Sequence, residues 1–343
     1  MGFAEVASAD PIVTTLNAKF EDEPSMEKGE KWWSLRAYFE GRQTESRLKR
    51  AEPTSRTEIQ ETELEINLRP EESLDFKISV GAEQFDNESQ FYLREAYVDY
   101  KPLPRWFTIR AGQMLMNVGL LNQQEQLLSF TPAIYERLWT FKKGTDVGTE
   151  LEIYPFPNQY LVLQAGFYSG RLVRPGDARM SVPDLAPRQI SLRSRSSYHE
   201  AFLTHYEQEL AYLDPVVARG VGAQVNSGEL LPWGMQAGLL WETWQLTERQ
   251  IRAPDQTTWG HLLFPTLSWD RWLIGYVYSE SHGRVGSGHG PLGTITPANR
   301  MDILRAQVTL ANYLRLQVDS VLQSGPEPLR DAVVGRLIFE KTF

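Results

Sequence analysis

Glu61, Glu63 and Glu65 occupy every second position of one stretch, with Thr62, Leu64 and Ile66 in the alternate places and Leu68 continuing the apolar series. In extended backbone this spacing puts the carboxylates on one face and the apolar side chains on the other. A face of carboxylates cannot sit in a dry core, because an unpaired buried charge is prohibitively costly, so that face must meet water. The chemistry it offers is electrostatic: fixed charges that concentrate some ions and repel others. The same alternation assigns to the wet face Arg36, Glu40 and Arg42, then Asp75, Lys77 and Glu83, then Glu95, Asp99 and Arg110. Glu150, Glu152, Glu242, Arg305, Arg315, Asp319, Arg336 and Glu340 follow. Both signs are present with acids in excess, which predicts a weak preference for cations or a crosswise field between opposed walls. The alternative is that these charges pair with one another and only hold a shape.

Other chemistry has thinner support. His199, His205 and Glu209 fall close together, but with five scattered histidines no metal site is expected. Gly283 to Gly293 is glycine-rich without the Gly-Lys-Ser/Thr ending of a phosphate loop. No nucleophile elbow occurs. Cysteine is absent, which removes thiol catalysis, cysteine-based zinc sites and disulfides together. Neither catalytic residues nor a cofactor are therefore expected, and a net charge of −9 argues against a nucleic-acid partner.

The elements that carry these residues read as strands. The apolar fraction is 41%, and no run approaches the roughly 18 apolar residues of a spanning helix. A membrane barrel needs only alternate apolar positions, and 10 Trp and 14 Tyr could supply its interfacial girdles. Leu74, Phe76, Ile78, Val80 and Ala82 alternate with polar partners, and so do the flanking segments. Short turns recur at 101–105, 154–157, 229–233, 268–271 and 311–313. Long segments lie between them, near 43–57, 115–144, 170–215, 246–257 and 283–299. That asymmetry predicts an all-β transmembrane antiparallel barrel over 31–343, with about fourteen strands, sixteen being the alternative. Tyr198 to Leu213 reads as helical from its Ala, Leu and Glu content, within a long 170–215 loop. Residues 1–30 read as a periplasmic extension, and Ala7-Ser8-Ala9 before Asp10 has the small-residue pattern of a signal-peptide cleavage site.

Two stretches carry a resemblance. The ending Val333 to Phe343 alternates and finishes on an aromatic, which resembles the closing strand of bacterial outer-membrane barrels. That likeness implies contact with the barrel-assembly machinery, outer-membrane lipid and lipopolysaccharide. Phe91 to Asn122 contains Arg94-Glu-Ala-Tyr-Val-Asp-Tyr100, then Lys-Pro-Leu-Pro, then Ile109-Arg-Ala-Gly-Gln113. This hairpin resembles that of the phosphate-selective porin O/P family. The resemblance implies a homotrimeric outer-membrane channel in which the following loop, 115–144, folds inward as a constriction. Glu136, Arg137, Lys142 and Lys143 would then stand near the path. The function expected is passive diffusion of ions and small hydrophilic solutes. The alternative is a plugged barrel that anchors a partner protein or envelope machine.

Overall fold

The computed structural model describes residues 32–48, 54–85, 88–116, 118–120, 145–156, 160–169, 188–196, 198–210, 213–228, 231–248, 255–285, 294–295, 299–325 and 330–343. Its strands are β1 (Trp33–Leu48), β2 (Thr54–Glu71), β3 (Leu74–Phe85), β4 (Glu88–Leu103), β5 (Phe107–Leu115) and β6 (Thr145–Ile153). They continue with β7 (Leu161–Tyr168), β8 (Arg188–Arg195), β9 (His199–Leu210), β10 (Leu213–Asn226), β11 (Met235–Glu248) and β12 (Gln256–Trp269). The last are β13 (Trp272–Val285), the two-residue β14 (Thr294–Ile295), β15 (Asn299–Ala311), β16 (Leu314–Ser324) and β17 (Arg330–Thr342).

Every pairing is antiparallel, and all but the closing β1–β17 pair join chain neighbours, with β13 also pairing β15 past the short β14. The sheet closes because β1 pairs both β2 and β17, Phe39 standing opposite Thr62 on one side and Phe339 on the other. Sixteen staves therefore form one cylinder. The strand ends that flank 116–144 and 169–187 lie at one end of the cylinder, and tight turns such as Trp269–Trp272 lie at the other. At Trp269–Trp272 the turn is reduced to two residues, and Asp270 takes φ 51 there, the positive value such hairpins require.

Period-2 burial runs through the staves. On β17, Val334, Arg336 and Ile338 are buried while Val333 and Leu337 are exposed. On β3, Phe76, Ile78 and Val80 face outward. A cylinder with an apolar exterior is the form hydrocarbon selects, since every backbone group is paired and no edge remains. Exposed aromatics gather toward the turn end, among them Trp33, Trp106, Trp233, Trp272 and Tyr313. Trp259 lies toward the long-loop end, and exposed Trp241 and Tyr276 stand between the two ends. Outward polar groups satisfy one another: Thr243 and His261 share a hydrogen bond of 3.0 Å, and Tyr276 donates to Asp302, which also holds Arg300.

Two expectations need correction. Tyr198 to Leu213 is not helical: His199–Leu210 is β9, hydrogen-bonded to β8 and β10 along its length. The 170–215 loop likewise contains β8, so the barrel has the alternative sixteen strands. β8 and β9 add one hairpin, joined at the short-turn end, where the Ser196 amide donates to the His199 carbonyl. The strands also run further than the alternation indicated, with β1 reaching Leu48 and β2 beginning at Thr54. Residues 1–30 lie outside the described residues.

Candidate functional site

The inner face of the cylinder is divided. On β1–β6 and the turn-side halves of β15–β17 it is built of charge. Arg336 clamps Glu40 through Nε at 2.7 Å and Nη2 at 2.6 Å, Arg42 Nη2 joins at 3.1 Å, and Tyr38 donates its hydroxyl at 2.7 Å. On β2, Glu61 and Glu63 accept from Arg94 Nη1 at 3.0 and 2.7 Å. Lys77 bridges Glu65 at 3.1 Å and Glu95 at 2.7 Å. Arg36 spans Glu65 and Glu340, and Arg315 holds the other oxygen of Glu340 at 2.5 Å.

Further round, Arg110 is bidentate on Asp99 at 2.7 and 2.8 Å, reaches Glu150 at 3.5 Å and lies over the Tyr97 ring at 4.6 Å. Tyr168 donates to Glu150 and Tyr154 to Glu152, each at 2.5 Å. Arg305 is bidentate on Asp319 at 2.9 Å. Such charge-assisted, multiply satisfied networks fix side-chain positions as well as neutralise them.

The structure thus puts Arg36, Glu40, Arg42, Glu61, Glu63, Glu65, Lys77, Glu95, Asp99, Arg110, Glu150, Glu152, Arg305, Arg315 and Arg336 on the inner face and links them in chains. Glu136, Arg137, Lys142 and Lys143 lie outside the described residues. Inner bases that the sequence reading omitted include Arg94, Lys101 and Arg193. Arg94 is the instructive one. The register between β3 and β4 slips at Ser79/Val80, so Arg94 and Glu95 are consecutive yet both buried. A β-bulge adds one residue and turns what should be an outward side chain inward. No signal in the sequence marks it.

The opposite wall, on β9–β13, is largely apolar. Phe202, Tyr206, Leu240, Trp244, Leu262, Phe264 and Val277 point inward and are buried. The alternation argument expected apolar residues outside only; here they occupy both faces. Among the described residues of these strands the buried charges are Glu242 and, on β9, Glu200, which pairs with Arg193.

No known protein family matches the sequence, and no curated protein does. Solved structures do match in shape. Salmonella typhi OmpF in complex with daunomycin aligns with a TM-score of 0.64 at 11% identity, over 90% of this chain and 97% of that one. The anion-selective porin from Comamonas acidovorans aligns at 0.63 and 10%, over 91% and 99%. The trimer form of OmpT, an outer membrane protein of Vibrio cholerae, aligns at 0.61 and 9%, over 91% and 100%. The fold is that of the outer-membrane porin barrels. The charged half of the inner face carries a local field set by which partner of each pair meets the water. Among the described residues no group of His, Asp or Glu could hold a metal.

Proposed function

We propose that the protein is an outer-membrane porin, admitting ions and small hydrophilic solutes by passive diffusion, with selection by lumen width and lumen charge. The observation that carries this is the continuous band of paired charges inside a closed apolar cylinder. A structural plug would be expected to dispense with so many charges, since well-packed apolar residues are often as stable as buried ion pairs.

The pairs are layered in a way that bears on selectivity. The Arg42 side chain is 16% exposed against 2% for Glu40, Lys77 21% against 11% for Glu95, and Arg110 24% against 0% for Glu150. In these pairs the acid is the deeper partner, so cationic heads meet the water there although acids predominate in the whole chain, whereas Glu340 and Asp75 are more exposed than Arg315 and Lys101. The preference we infer is for anions, the reverse of what composition suggests. The likeness of Phe91 to Asn122 to the phosphate-selective porin O/P hairpin agrees with this sign. A homotrimer is part of the proposal, supported by the trimer form of Vibrio cholerae OmpT, and so are contacts with lipopolysaccharide and with the assembly machinery through β17.

Reconstitution in planar bilayers under a salt gradient tests the reading. Stable open steps are expected, with a reversal potential on the anion side. A folded barrel that stays silent would overturn it in favour of an anchor; steps with cation preference would overturn the layering argument alone.

A further inference from the structure

Beyond the end of β5, Met116, Val118, Gly119 and Leu120 are buried, and they pack on a distant part of the sheet. The Leu120 amide donates to Glu242 Oε1 on β11 at 2.6 Å. The Gly119 carbonyl accepts from Arg193 Nη2 on β8 at 3.4 Å. Trp244 donates its indole N–H to the other oxygen of Glu242 at 2.9 Å. Five strands separate β5 from β11 around the cylinder, so this backbone crosses the lumen to reach its partner.

The receiving wall is shaped for it. Gly119 takes φ +78, and a Cβ there would lie 2.8 Å from Trp244 Cζ2, so a glycine both makes the turn and lets the ring lie against backbone. On β10 a Cβ at Gly220 would collide with the same ring, and one at Gly222 would lie 2.6 Å from Phe202. Met116, Val118 and Leu120 join Phe202, Tyr206 and Trp244 in one apolar cluster. Docking exchanges water on the Glu242 oxygens for two N–H donors and removes apolar side chains from water, so both effects favour the same position.

We propose that Glu242 is the positioning residue that latches this segment to the far wall, sealing the apolar half of the lumen and confining solute to the charged half. The confinement rests on the diffusion reading; the latch itself does not. Two measurements separate them, hydrogen exchange by mass spectrometry on peptides containing Leu120 and unitary conductance in bilayers, on protein whose folding is verified by heat-modifiable gel mobility. In wild type the Leu120 amide should be strongly protected. Glu242→Ala should lose that protection by about tenfold or more, as local opening becomes cheap. It should also raise unitary conductance by about half as the cross-section widens. Glu242→Gln retains an acceptor oxygen and should restore both readouts toward wild type. Unchanged protection in folded Glu242→Ala would overturn the latch, and unchanged conductance with lost protection would overturn the confinement. If neither protein conducts, the diffusion reading falls and exchange alone decides the latch.

Discussion

Arg305 and Asp319 meet across β15 and β16 with two bonds of 2.9 Å, and almost no water reaches either. Gln317 gives Asp319 a further donor at 2.8 Å. Arg305→Met would strip the buried carboxylate of its bidentate partner, at a cost of about 3 kcal/mol. Arg305→Met with Asp319→Leu should recover most of that loss, a difference readable by denaturant unfolding in detergent micelles. Arg36 and Arg42 permit a cleaner test of the layered charges. Glu40 keeps Arg336 without Arg42, and without Arg36, Glu65 keeps Lys77 and Glu340 keeps Arg315. The double substitution Arg36→Gln and Arg42→Gln therefore removes two water-facing cations and orphans no acid. The reversal potential should move toward the cation side while stability changes by less than about 1 kcal/mol, as for part-exposed pairs. At this scale the acids were legible, because Glu61, Glu63 and Glu65 announce a wet face by spacing alone. Arg94 was not legible, because a bulge is a matter of register between two strands.

Element boundaries show where local preference loses to pairing. His199–Leu210 carries Glu, Ala and Leu, good helix formers, yet Leu192 opposite Leu203 and Leu203 opposite Val221 supply neighbours on both sides. The alternation of Ala201, Leu203 and His205 with buried Phe202, Thr204 and Tyr206 is present in the sequence. It is obscured because the inward side chains are themselves partly apolar. Leu203 is 60% exposed on the outer surface. Leu203→Lys should cost about 2–4 kcal/mol if lipid surrounds it near the midplane. A helix in a solvated loop would tolerate the change within about 0.5 kcal/mol. Refolding yield into lipid vesicles distinguishes the two outcomes. The short β8 was invisible for a related reason: Arg188–Arg195 is polar on alternate positions and brief, and it lies inside what reads as a loop.

For the molecule as a whole, closure of the sheet and the difference between its two ends were readable from turn chemistry and period. The count of staves was not, since one unrecognised hairpin changes it by two without disturbing parity. Outward Leu, Ile, Val and Phe cover the cylinder, so the folded protein should stay in solution only with surfactant, and its circular dichroism should be that of β structure. Detergent removal followed by light scattering checks this, and a clear, monodisperse sample would contradict a lipid-facing exterior. The joint between β1 and β17 brings together Glu40 and Arg336, 296 positions apart along the chain. No partial product of synthesis can make that joint. A polypeptide released before Arg336 would present two raw ribbon edges, one on Trp33–Leu48 and one on Leu314–Ser324. Such edges recruit one another between copies. Truncations that remove β17 should therefore be poisonous to the envelope rather than merely inactive.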